Sequence, residues 1–378
     1  MREIYLDYAA ATPVAEEVER VMLPFMKKDF GNPGSLNSFG FRARDAVEHA
    51  RATIAKIMNA KKTEIIFTGS GTESVNGAIL GVMRANKQRG NHVITSSIEH
   101  HAVLEACKYL EKYEGVKVTY LPVSKEGLVN SNDVEAAITK ETVLISIMYA
   151  NNEIGTIQDI KKISERAKKH NVLVHTDACQ AGVLDIDVQK MGVDLLTLNA
   201  SKMYGPKGIG LLYKRTGIGL HPIVHGGGQE QGFRSGTENV PAIVGFAKAL
   251  ELVQQEKEKE KRKLEKLRDK LIEGILKKVK GSAVNGHMTQ RLPNNVSITF
   301  ENVDEEALLV MLNEKGICAA TGSACTSLRK GPSHVLKAIG KTSERNAAIR
   351  FTLGKFTTED DVLSVLKVVP QIVEKLRH

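Results

Sequence analysis

The chain has no tryptophan, and aromatic residues make up only 5% of its 378 positions. Its basic residues are spread along the chain among glutamates, and no basic patch is interleaved with aromatics, which argues against direct nucleic-acid binding. The net charge of +9 therefore reads as a solvated surface. Cysteine is scarce: Cys107, Cys179, Cys318 and Cys325 are all there are. None forms a C-x-x-C pair, so neither a zinc ribbon nor a thioredoxin-like site is supported. Nor do four cysteines in so long a chain make a secreted disulfide framework. No run approaches the ~20 apolar residues of a membrane span. The opening MREIYLDYAAATPV lacks an apolar stretch of signal-peptide length. These absences predict no membrane partner and a reducing cytoplasm.

What is present is an ordinary globular balance, 42% hydrophobic and 26% charged. Dividing the length by about 150 gives two to three domains. Short apolar runs alternate with amphipathic stretches. EIIFTGSG, HVITSSIEH, KVTYLPV, TVLISIMYANNEIG, VLVHTDACQ, VDLLTLNASK and IGLLYKR read as strands. TESVNGAILGVMRANKQRG and KKISERAKKHN read as helices. Such alternation predicts an α/β fold with a parallel or mixed sheet flanked by helices. Ligands of these folds bind at the carboxyl ends of the strands. The polar clusters sit there: Glu99 and His100, Asn151 and Asn152, Asp177 and Gln180, and Lys202. From about Leu250 the composition shifts to a long charged helix, with Leu264, Leu267, Leu271 and Ile275 at helical spacing. NNVSITF, EEALLVMLNEKG, CAATGSAC and AAIRFTLG then suggest a smaller α/β unit.

Several segments carry chemistry. In TGSGTESVNGA a Gly-rich turn opens a helix, aiming backbone N–H groups at one spot suited to phosphate, although an ordinary helix cap explains it equally. Its spacing is not that of a nucleotide P-loop. Asp177 ends a very apolar run, where an acid either meets a cation or caps the next helix. Lys202 follows another apolar run, and a lysine in a partly dry pocket is primed for Schiff-base chemistry. The nearby Lys207 lies in the turn GPKG, where exposure is expected. HGGGQEQGFRSGTEN, with Arg234 and Thr237, reads as a mobile loop or a second phosphate contact. Cys325 sits in ATGSACTS among small polar neighbours, unlike the apolar surroundings of inert structural cysteines. Cys107, in an amphipathic helix, reads as core.

Taken in order, these segments resemble the cysteine desulfurases of the iron–sulfur cluster type, within the fold-type I, class V aminotransferase group. The similarity runs from YLDYAAATP (residues 5–13) to RFTLGKFTTEDD (350–361). It implies a large domain over 14–250 with a mostly parallel seven-stranded sheet, and a small domain over 251–378 near which residues 1–13 pack. It implies pyridoxal 5'-phosphate as cofactor, held as a Schiff base by Lys202. His100 would stack on the ring, Asp177 face the pyridine nitrogen, and Asn152 and Gln180 lie near the phenolic oxygen. Gly71 and Thr72 would take the phosphate, with Thr237 supplied from the other subunit of a homodimer. Asn199 and Ser201, beside Lys202, complete the set. Arg350 would clamp the substrate carboxylate, with Asn152 also near the substrate.

The implied reaction takes sulfur from L-cysteine, leaving L-alanine and a persulfide on Cys325, with His100 as proton shuttle. The sulfur would pass to an iron–sulfur scaffold or a tRNA-thiolation relay protein. No resident metal is implied, though Cys325 could transiently ligate a cluster iron. The stretch TSLRKGPSHVLKAIG resembles the long-loop branch, whose loop swings out to a partner. Two departures stand out. Ser201 occupies the position of a family histidine that touches the phosphate, its hydroxyl keeping one donor. Asn32-Pro33-Gly34-Ser35-Leu36-Asn37 replaces the family's N-P-S-S-x-H pattern. A selenocysteine lyase or a class V aminotransferase is the alternative on the same fold; an aminotransferase has no need of GSACTS.

Overall fold

A computed structural model describes residues 3–322, 333–343 and 345–377. Cys325 lies outside the described residues. The chain begins with β1 (Ile4–Tyr5), α1 (Glu16–Lys27) and α2 (Ser38–Ile57). An alternating series follows: β2 (Ile65–Thr68), α3 (Gly71–Ala85), β3 (His92–Ser96), α4 (His101–Glu114), β4 (Lys117–Leu121) and α5 (Ser131–Ala137). It continues with β5 (Thr142–Ser146), α6 (Ile160–Lys169), β6 (Leu173–Asp177), α7 (Val188–Met191), β7 (Leu195–Asn199) and β8 (Gly210–Lys214). Every strand expected from the apolar runs in this series is present, and the two helices are α3 and α6.

These strands form one seven-stranded sheet in the order β2-β8-β7-β6-β5-β3-β4. The neighbours from β7 through β4 are parallel, and β8 runs antiparallel to both β7 and β2. The strands read as near-continuous apolar runs because both faces are covered. Ile65 and Phe67 of β2 enter one core while Ile66 between them enters another. Leu211 and Tyr213 of β8 part from Leu212 in the same way. This is the period-2 alternation of a pleated strand, expressed with apolar residues on both sides.

The charged helix is longer than its composition suggests. As α8 it runs from Val240 to Lys278, beginning about ten residues ahead of the charged stretch, with Asn239 capping through Ala242 N. The earlier start is set by an apolar segment, Val240 to Val253, buried against the sheet core. Leu264, Leu267, Leu271 and Ile275 on the later turns enter a second core. Each such side chain, fully buried, contributes about 1.5–3 kcal/mol. The division expected after residue 250 thus falls inside one continuous helix.

The second core is built on β9 (Ser282–Val284), β10 (Asn295–Phe300), α9 (Glu305–Glu314), β11 (Ile317–Cys318), α10 (His334–Ala338), β12 (Ala347–Thr352) and α11 (Glu359–Arg377). β12, β10 and β9 form an antiparallel sheet in that order. β1 pairs in parallel with β11, and Asp7 bridges Thr352. The N-terminal residues are therefore stitched to strands near the other end of the chain. No helix among the described residues is long and apolar enough to cross a membrane.

Candidate active site

The parallel strands end together, and the polar residues that follow them share one rim. Asp177 is the last residue of β6, buried, and its Oδ1 accepts from Cys179 N at 3.0 Å. This is the turn-capping use of an aspartate, so the carboxylate is fixed by its own backbone. β7 ends at Asn199, and Lys202 lies not on the strand but in a single 3-10 turn beyond it. Asn199 caps that turn: its Oδ1 accepts from Ser201 N (3.0 Å) and from Ser201 Oγ (2.9 Å). The one proton of the Ser201 hydroxyl is thus committed to Asn199. The donor expected from Ser201 toward a phosphate is turned inward.

The amine of half-buried Lys202 donates to the carbonyl oxygen of Ala10. Gln180 Nε2 donates to the adjacent carbonyl of Ala9 at 3.1 Å. Residues 9–12, a segment to which the sequence attached no role, therefore cover the lysine. Thr12 completes the cover by donating through Oγ1 to Ser201 O and accepting from Tyr204 N at 2.7 Å. Tyr204 takes a left-handed φ of 60°, rare for an aromatic residue, and these bonds hold it there. Exposed Lys207, the competing lysine, reaches only Thr12 O. Lys202 and Gln180 also line a cavity of about 30 Å³, room for a water molecule.

The tip of α3 faces the same rim. Ser70 caps it by accepting from Glu73 N at 3.1 Å, so the first amides, Gly71 and Thr72, have no acceptor within the helix. A side chain at Gly71 would meet Cys179 Sγ at 2.8 Å, and one at Gly210 would meet the Ser70 carbonyl carbon at 2.4 Å. The glycines let three strand ends close around this tip. Thr237 is exposed, and its loop is tied to α3 through Arg234, whose Nε donates to Glu73 Oε1 at 2.9 Å.

His100 caps α4, its Nδ1 accepting from Ala102 N at 3.1 Å. A neutral imidazole so placed carries its proton on Nε2. Behind it Glu99 is fully buried, accepting from Ser96 Oγ at 2.6 Å and from Met148 N at 3.0 Å. Burial pushes the Glu99 carboxyl up to about 8, and the nearby Asp177 charge adds to the effect. His175, two residues before Asp177, lies between Ser146 Oγ (2.8 Å) and Thr197 Oγ1 (3.1 Å), and burial pulls it down to about 4. Burial thus disfavours the charged form of both groups beneath the rim.

A pH prediction follows from Glu99. Its folded value exceeds the ordinary 4.5, so the native state binds the extra proton and stability falls as pH rises toward 8. His175 acts in the opposite sense, but its contribution is complete above 6.5. Between pH 6.5 and 8, wild-type unfolding free energy is expected to drop about 1–2 kcal/mol more than that of Glu99→Gln. Urea unfolding at the two pH values checks this; equal slopes would sink it.

The remaining candidates meet at a neighbouring corner. Asn151 is structural: its Oδ1 accepts from Glu153 N and Ile154 N, and its Nδ2 donates to Ile98 O. Asn152 is half-buried, and its carbonyl accepts from Arg350 Nη1 at 3.0 Å. Arg350, on β12, is almost wholly buried and bridges Ala320. Both flanks of the segment that contains Cys325 reach this corner, since a side chain at Gly322 would stand 3.2 Å from Glu153 Oε2 and 3.4 Å from Ser333 Cβ. Among the described residues no group of three or more His, Cys, Asp or Glu is arranged to hold a metal ion.

This donor set fits pyridoxal phosphate. The α3 tip offers amides for an anion, Asp177 a buried carboxylate for a protonated pyridine nitrogen, Lys202 an amine for the aldehyde, and His100 a ring. The close approach at Gly71 and Gly210 leaves no room for a side chain at either position.

A family model described as aminotransferase class-V matches residues 4–365. The chain is 52% identical to the cysteine desulfurase IscS of Methanosarcina thermophila, over 100% of this chain and 93% of that one. It is 50% identical to the cysteine desulfurase IscS of Dictyoglomus turgidum, over 100% and 96%. A solved NifS-like protein superposes with a TM-score of 0.93 at 38% identity, covering 99% of this chain and 100% of that one. SspA, solved in complex with cysteine, superposes with a TM-score of 0.81 at 38% identity, covering 94% and 99%. The chain belongs to the class-V aminotransferase family and, within it, to the cysteine desulfurases.

Proposed function

We propose that this protein removes sulfur from L-cysteine with pyridoxal phosphate, releasing L-alanine and leaving a persulfide on Cys325. What carries the reading is the one strand-end rim on which Lys202, Asp177 and the α3 tip lie, in a chain 52% identical along its full length to a protein named cysteine desulfurase. Bound cofactor supplies the electron sink that makes the substrate Cα–H acidic and its Cβ–S bond labile. Asp177 holds a proton on the pyridine nitrogen. Lys202 Nζ takes the Cα proton and returns it, as general base and then acid. Arg350 receives the substrate carboxylate. The Cys325 thiolate attacks the substrate sulfur: an S–S bond forms, the C–S bond breaks, and carbon keeps its electrons and gains a proton. A free thiol has pKa ~8.5, so a base is needed, and His100 takes that proton at Nδ1 once the Ala102 N–H releases it.

The same reading extends to assembly and organisation. The exposed apolar residues Leu23, Met26, Phe30, Leu36, Phe39 and Phe41 crowd one stretch of sequence. They support a homodimer in which Thr237 reaches the partner's phosphate site. The chain works as two units, 14–250 and 251–378 with residues 1–13, in the cytoplasm. The persulfide sulfur goes to a scaffold for iron–sulfur clusters or to a tRNA-thiolation relay. The test is a visible spectrum before and after L-cysteine, with alanine and protein persulfide quantified. One alanine per persulfide is expected on the first turnover; absence of alanine would overturn the reading.

A further inference from the structure

The guanidinium of Arg350 is already taken. Its side chain is 3% exposed, and its Nη2 donates to Asp7 Oδ1 at 2.7 Å. Nη1 donates to Asn152 O, while Nε is buried with no hydrogen-bond partner. Asp7 is the more accessible member, 19% exposed, and it sits on the N-terminal segment that bridges Thr352 beside Arg350. A buried cation left without an anion is strongly disfavoured, and a buried N–H without an acceptor adds to that cost. The ligand-free protein meets the first demand with Asp7 and leaves the second unmet. An incoming carboxylate with two oxygens would satisfy both, by spanning Nε and Nη2 in the bidentate geometry a guanidinium prefers.

We propose that Asp7 is an internal stand-in for the substrate carboxylate, occupying Arg350 until the substrate displaces it. This rests on the reading of Arg350 as the carboxylate clamp. Asp7 is then a positioning and specificity residue. It keeps the guanidinium buried, charged and oriented, and it makes each arriving carboxylate compete for the site. Ligands without a carboxylate gain nothing from the exchange, so Asp7 discriminates by chemistry rather than by size. Removing its charge destabilises the ligand-free protein and hands the freed attraction to the substrate, because whatever binds only the native state recovers the lost stability.

The experiment uses the holoenzyme and its variants Asp7→Asn, Asp7→Ser and Arg350→Lys. Melting temperature is read with and without L-alanine, L-alanine binding is measured by calorimetry, and KM is measured for L-cysteine. Asp7→Asn is expected to melt lower than wild type without ligand, to gain more from L-alanine, and to bind it at least about threefold tighter. KM for L-cysteine falls in parallel, and cysteamine, which has no carboxylate, binds unchanged. An Asp7 variant that does not fold in buffer is refolded with L-alanine present; rescue supports the proposal and failure to rescue overturns it. Unchanged or weaker alanine binding by a folded Asp7→Asn also overturns it, leaving a purely structural ion pair. If Arg350→Lys leaves alanine affinity untouched, the clamp reading itself fails. If that variant loses affinity while Asp7→Asn gains none, only the exchange is wrong.

Discussion

Cys325→Ser is expected to retain cofactor and wild-type stability while losing persulfide and sulfide formation from L-cysteine by about 10³-fold or more. The exchange replaces one atom, so it tests nucleophilicity with little steric change. A hydroxyl is a far poorer nucleophile than a thiolate and cannot hold sulfane sulfur. Three other cysteines are poor substitutes. Cys107 is buried and its thiol is pushed up to about 12. Cys179 lies beside Asp177 and the α3 tip, but burial and the Asp177 charge hold its proton firmly. The Cys318 thiol is also raised, by burial and neighbouring acids. The variant is assayed for alanine, sulfide and labelled persulfide on the protein. Undiminished alanine release would remove Cys325 from the mechanism and return attention to Cys179.

Lys202→Ala is expected to have an effect as large, and by a different route. The variant loses both the covalent tether for the cofactor and the base that moves the Cα proton, so turnover falls by about 10³-fold or more. The visible absorbance of bound cofactor should disappear on desalting, while the protein stays folded. Lys202 is only half-buried, and its amine donates to a backbone carbonyl. Lys207→Ala is the matched control, since that lysine lies in the glycine-rich turn that follows and is exposed. An absorbance band kept by Lys202→Ala and lost by Lys207→Ala would reverse the assignment.

The strands were legible because a sheet covered on both faces turns each strand into an unbroken apolar word, as in IIFT or VLVH. The rim was legible because polar residues that end such words have nowhere to go but the edge of the sheet. Two helices ahead of β2 were not read, since α1 and α2 lie outside the strand–helix alternation that guided the reading. The start of α8 was masked by its composition: its first turns are apolar and its later ones charged, so the change of composition falls inside the helix. The cover over Lys202 and the ion pair of Asp7 with Arg350 left no trace in the sequence. Both join residues far apart along the chain, where no local spacing reports contact. Ser201 was visible as a departure, but only the geometry reveals that Asn199 takes its proton.

The stitching of β1 to β11, and of Ala9 N to Thr352 Oγ1 across 343 positions of sequence, has a consequence for timing. Synthesis runs from the amino end, so the segment that lids Lys202 is made long before its partner strands β11 and β12. The strands of the large sheet can pair while the chain is still growing. The bond from Ala9 N to Thr352 Oγ1 cannot form until β12 has been made. A growing chain therefore carries Lys202 and the α3 tip well before the segment above them is fully tied down. Lasting cofactor capture, and with it the onset of activity, is expected to wait until β11 and β12 have been made.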